Sequence, residues 1–206
     1  MSSKGAVRPA TTSRRYFDPR FDATIITVAP GDHEVTTDKG EVLATVLGSC
    51  VSACVRDKTT GVGGLNHFLL PQVGAGPLGP DTAGLCYGDT AMEVLLNALF
   101  KRGAQRQNLE AKIFGGARVL AGPTSLAIGQ RNIAFVQEFL ARERIPVASS
   151  DVGGDSPRRI HFHPHSGRVW VQHVDRPQHA NLAGQEMAYL NRVTVRPVAG
   201  SVEIFE

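Results

Sequence analysis

The sequence predicts a single α+β domain in which strands outnumber helices. Short β-branched runs punctuated by Gly and Pro turn signals fill the first third of the chain and return near its end. Only two stretches, 89–102 and about 130–144, space their apolar residues at helical intervals. Both are amphipathic, so each has one face to bury, most simply against a sheet.

In chain order, residues 1–22 are polar and basic (Lys4, Arg8, Arg14, Arg15, Arg20) and read as a flexible basic arm. Strands are expected at 24–28, 33–37 and 41–46, separated by Pro30-Gly31 and Lys39-Gly40. A hairpin follows in 47–71, and then a Gly- and Pro-rich loop over 72–88. Asp89 is read as the N-cap of the first helix, with Met92, Leu95, Leu96 and Leu99 inward and Gly103 as its stop. AKIFGG is a strand. The second helix turns Ile133, Val136, Phe139 and Leu140 inward. PVASSDVGG supplies a strand, and RRIHFHPHSGRVWVQHV a hairpin turning at His165-Ser166-Gly167. The organisation is thus an arm (1–22), one domain (23–175) and a polar C-terminal extension with short strands (176–206).

A length of 206 residues, 42% hydrophobic and 20% charged, is ordinary globular composition. No apolar run is long enough to span a bilayer, and the first residues lack the apolar core of a secretory signal. The net charge of +3 lies largely in the arm, so nucleic acid is not an expected partner. Cys50, Cys54 and Cys86 are odd in number and lack paired CxxC spacing, which excludes a disulfide framework and a structural zinc site. A cytoplasmic protein is expected.

The hairpin LGSCVSACVRDKTTGVGGLNHFLLP carries the chemistry. With Lys58-Thr59 as its loop, Cys50 falls opposite His67, and opposed residues have Cα atoms ~4.5–5.5 Å apart. An imidazole there can take the thiol proton, and the thiolate can attack an acyl carbon. Gly48 and Ser49 permit close approach of backbone to substrate, and the Cys50 amide N–H is a candidate oxyanion donor, worth ~3–4 kcal/mol in the transition state. The histidine needs an orienting group; Thr45 is the first candidate and Asn66 the weaker one. Against this stand plainer roles: a buried thiol packing as a small hydrophobe, a hydrogen-bonded histidine at a strand end, a β-branched residue in a strand. His161, His163 and His165 alternate on a strand and could face a metal, but Pro164 interrupts them, and an exposed polar face is the simpler expectation.

The same hairpin strongly resembles the signature of the CheD family, the chemoreceptor glutamine deamidases of bacterial chemotaxis. YGDTAMEVLLNAL, GAQRQNLEAKIFGGA, IGQRNIAFVQEFL and DVGGDSPRRIHFHPHSGRV follow in family order, so the resemblance runs from about 24 to 174. It implies a layered helix–sheet–sheet fold with mixed, mostly antiparallel strands. It also implies Cys50 as nucleophile and His67 as base, with no metal or organic cofactor. The family uses a threonine a few residues before the cysteine; Thr45 is the nearest, while a family spacing of six falls on Ala44. The implied reaction converts glutamine to glutamate and ammonia on the cytoplasmic helices of a chemoreceptor. Hydrolysis of methylated glutamate and binding of a CheC-type phosphatase are further implications. A domain acting mainly as a regulatory binding module for such a phosphatase is the alternative function.

Overall fold

The structure, a computed structural model, describes residues 14–70, 80–119 and 123–174 together with Gly184 and Ala188; for 80–87 and 123–127 it describes the helical backbone. Among the described residues two five-stranded sheets form. The first has the order β1 (Arg14–Asp18), β2 (Ala23–Thr27), β4 (Glu41–Leu47), β9 (Arg158–His163), β10 (Arg168–His173). The second has the order β3 (His33–Thr36), β6 (Gly63–Asn66), β5 (Val51–Asp57), β7 (Leu109–Gly115), β8 (Val147–Val152). Pairing is antiparallel except for β2 with β4 and β7 with β8. The two long helices among the described residues are α1 (Pro80–Lys101) and α2 (Pro123–Arg142).

The alternation along each strand dictates the layers. On β5, Val51, Ala53 and Val55 join Met92, Leu95 and Leu99 of α1 and Val136, Phe139 and Leu140 of α2 in one core. On the other face, Cys54 and, just before the strand, Cys50 join Leu65 and Leu69 and, from the first sheet, Ile26, Leu43 and Leu47 in a second core between the sheets. The order is therefore helices, sheet, sheet, as expected.

Both helices begin earlier than their periodicity indicates. Asp89 lies inside α1 rather than capping it, and it pairs with Arg142 of α2 at 2.7 Å. The glycines that look like breakers are contact points. A Cβ on Gly88 would stand 2.5 Å from the Phe135 ring, and one on Gly129 2.5 Å from the Gly116 carbonyl oxygen. Strand β1 falls inside the stretch expected as a free arm and pairs antiparallel with β2 from Arg14 to Asp18. Residues 1–13, the 72–79 part of the expected loop, and the C-terminal extension apart from Gly184 and Ala188 lie outside the described residues.

Candidate active site

The chain crosses from the first sheet to the second through three residues, Gly48, Ser49 and Cys50, between the end of β4 and the start of β5. Stacked sheets lie ~10 Å apart, close to the full reach of so short a link. Small residues suit such a corner, and its backbone is held on every side. The Ala117 N–H donates to the Gly48 carbonyl at 2.7 Å and the Gly116 N–H to the Cys50 carbonyl at 2.7 Å. Asn132 Nδ2 donates to the Ser49 carbonyl at 2.8 Å. Gly115 must be glycine, because its φ is +108° and a Cβ there would meet the Cys50 oxygen at 2.2 Å.

The hairpin register differs from the expectation. Asp57 accepts from the N–H groups of Thr59 and Thr60, and its own N–H donates to the Val62 carbonyl. This closes a four-residue loop instead of the two-residue one. Cys54 therefore faces Leu65, and Val51 bridges Phe68. One step outward, Cys50 falls opposite Leu69 and His67 opposite Ser52, so Cys50 and His67 are diagonal rather than direct neighbours. A shift of two positions keeps every side chain on its face, where a shift of one would have moved His67 to the helix side. Both residues project between the sheets and both are buried, Cys50 at 0% and His67 at 3% exposure.

Alternation on β4 decides which residue meets the histidine. Ala44 joins Ala23, Ile25 and Val42 in an apolar cluster on the outer face of the first sheet. Thr45 turns inward, with its Oγ1 2.8 Å from His67 Nδ1 and 2.8 Å from the Val28 carbonyl oxygen. A carbonyl only accepts, so the hydroxyl proton goes to Val28 and Oγ1 accepts from Nδ1–H. That leaves Nε2 as the bare nitrogen. Among the described residues Nε2 meets no hydrogen-bond partner. A cavity of about 150 Å³ between the 31–33 turn, α1 and the Asn66–His67 step reaches the histidine.

Burial lowers the His67 pKa from the ordinary 6.5 to about 4, against the opposing pull of the Val28 carbonyl. The imidazole is therefore neutral at rest and gains a proton readily only beside a new negative charge. The same shift links stability to pH. The unfolded chain takes up this proton near 6.5 and the folded chain only near 4, so stability declines as pH falls through that window. The full contribution is about 3 kcal/mol, present above the window and gone below it. Urea titrations from pH 7 to 4 are expected to show a steeper loss for the wild type than for His67→Gln.

The remaining candidates fall into distinct places. Gly48 and Ser49 form the corner. Asn66 has its amide committed elsewhere: Oδ1 accepts from the Ala53 N–H at 2.9 Å, and Nδ2 donates to the Ala91 carbonyl and approaches the Met92 sulfur, each at 3.2 Å. It stands in for a backbone rung between β5 and β6 and ties that rung to α1. Cys54 is buried, which pushes its thiol up to about 12. The side chain of Cys86 lies outside the described residues. Of the three histidines, His163 and His165 pack edge to face, with ring centroids 6.3 Å apart, and His161 is engaged elsewhere. His161 stacks on Phe21 at 4.6 Å, and His163 bonds Ser166 and the Lys39 carbonyl. His165 lies against Gly61. Among the described residues no group of three His, Cys, Asp or Glu is arranged to hold a metal.

Asn132 also belongs to this site, although helical periodicity alone does not mark it. Its signal is a polar side chain four and seven positions before Val136 and Phe139, on the buried face of the helix.

A family model, described as CheD chemotactic sensory transduction, matches residues 69–173. Proteins named "Probable chemoreceptor glutamine deamidase CheD" are similar over nearly the whole chain. That of Rhodopseudomonas palustris (strain BisA53) is 46% identical, covering 96% of this chain and 95% of its own. That of Thiobacillus denitrificans is 42% identical, with 97% and 98% covered. That of Methylobacillus flagellatus is 46% identical, with 92% and 94% covered. The layered fold, the ordered sequence blocks and these full-length similarities together make the chain a member of the CheD family.

Proposed function

We propose that the protein is a chemoreceptor glutamine deamidase that works through a thioester on Cys50. Two things support the activity: the names of relatives at 42–46% identity over nearly the full chain, and a buried imidazole whose Nδ1–H is held by Thr45 while Nε2 stays bare. The second observation carries the mechanism, because a base must offer its free lone pair on the face that holds the nucleophile.

In this reading Nε2 of His67 takes the Cys50 proton as the sulfur attacks the side-chain carbonyl carbon of a receptor glutamine. The C–N bond then breaks, and the imidazolium gives its proton to the departing nitrogen, releasing ammonia. Water attacks the thioester and passes a proton back to Nε2. The C–S bond breaks, the sulfur regains the proton, and glutamate remains on the receptor. A glutamate methyl ester would follow the same steps with methanol leaving. The corner residues Gly48 and Ser49 hold the Cys50 backbone beside the developing oxyanion. The protein would act in the cytoplasm, where the receptor helices that carry these glutamines lie; among its described residues no helix is long and apolar enough to cross a membrane.

The test is peptide mapping of a chemoreceptor cytoplasmic fragment after incubation in heavy-oxygen water. Glutamates bearing one heavy oxygen at former glutamines are the expected product. Unchanged glutamines, with the fragment or a CheC-type phosphatase still bound, would favour a regulatory binding module instead.

A further inference from the structure

We propose that Asn132 of α2 is a positioning residue that sets the separation of Cys50 and His67. The inference rests on the catalytic pair proposed above. The Asn132 side chain is 0% exposed, and both ends of its amide are used. Nδ2 donates to the carbonyl of Ser49, the residue before the nucleophile, and Oδ1 accepts from the N–H of Leu70, three residues after the histidine. One planar amide thus spans the open mouth of the hairpin and joins its two limbs.

That mouth has few ties of its own. Outward of Cys54–Leu65 the regular ladder stops, and Ala53 bonds the Asn66 side chain in place of a backbone carbonyl. The Val51–Phe68 bridge is then the remaining rung before Cys50. Without Asn132, the Ser49 carbonyl loses this donor and the Leu70 N–H loses this acceptor. The limbs could then part or shear, and the diagonal from Cys50 to His67 would change.

The neighbours of Asn132 on the same helical face act on the same corner. Gly129 lies against the Gly116 carbonyl and Ile133 against the Gly116 Cα, while the Gly116 N–H holds the Cys50 carbonyl. Helix α2 therefore holds Ser49, the residue before the nucleophile, directly, and the nucleophile itself through the 115–117 turn. An isosteric acid at 132 would keep the acceptor for Leu70 but lose the donor to Ser49.

The experiment compares wild type, Asn132→Asp, Asn132→Ser, His67→Ala and Ile145→Val, the last a core change remote from the corner that reports stability loss alone. Two quantities are read: deamidation of a receptor fragment, and the pH midpoint of the Cys50 thiol, followed by NMR with carbon-labelled cysteine. Both Asn132 variants are expected to lose ~10²-fold in kcat with little change in KM, the scale of a misplaced reacting group. Their Cys50 midpoint should rise toward that of His67→Ala, while Ile145→Val keeps the wild-type midpoint. Should either Asn132 variant fold with a wild-type midpoint and wild-type kcat, the proposal is wrong. If the wild type leaves every glutamine intact, yet its Cys50 midpoint still depends on both His67 and Asn132, positioning stands and the substrate assignment fails.

Discussion

His67→Ala is expected to slow receptor deamidation ~10³–10⁴-fold, the range for removing a group that serves as both base and acid. The loss should fall on kcat, because the imidazole acts on the reacting atoms and not on the receptor helix at large. The substitution leaves the Thr45 hydroxyl paired with the Val28 carbonyl, so no buried donor is stranded and the fold should persist. It also removes the group that burial holds neutral down to about pH 4. The variant should therefore be nearly inactive and yet less sensitive to acid between pH 6.5 and 4 than the wild type. Stopped assays at several substrate concentrations, with parallel urea titrations, read both effects. A variant within tenfold of the wild type in kcat would remove His67 from the mechanism.

Thr45→Val carries the next largest effect. The side chain keeps its shape, but Nδ1–H of His67 loses its acceptor and the Val28 carbonyl loses its donor. Stranding buried polar groups costs ~1–3 kcal/mol each, so stability should fall measurably. The larger consequence is chemical. With no hydroxyl at Nδ1, the ring has less reason to keep its proton there, and a ring carrying it on Nε2 cannot accept from the thiol. A ~10²-fold drop in kcat is expected, in line with a disturbed orienting group, and Thr45→Ser should recover most of it. Equal activity of the valine and serine variants would mean that the Val28 carbonyl alone orients the ring.

Much of this site was legible in the sequence because it depends on alternation. Cys50 and His67 share a face whether the hairpin loop holds two residues or four, so the four-residue loop moves them from opposed to diagonal positions without separating their faces. The loop itself was misjudged because Asp57 caps two backbone N–H groups, a contact that strand propensity does not register. Alternation on β4 also separates Thr45 from Ala44, although only the partner strand β9 and the outer cluster reveal which face is which. The helix starts were missed for a tertiary reason. Gly88 and Gly129 resemble breakers locally, but they are the points where α1 and α2 come closest to Phe135 and Gly116. The corner at Gly48, Ser49 and Cys50 was not visible, since it exists only because β4 and β5 belong to different sheets, and sheet membership is set by pairing with β9 and β7.

Cys50 is the proposed nucleophile of a glutamine deamidase. The most direct test of that role is mass spectrometry of a chemoreceptor cytoplasmic fragment incubated with the wild type and, side by side, with Cys50→Ala. Conversion of particular glutamines to glutamate by the wild type, and none by the variant, is the predicted result. Conversion at similar rates by both proteins would contradict it.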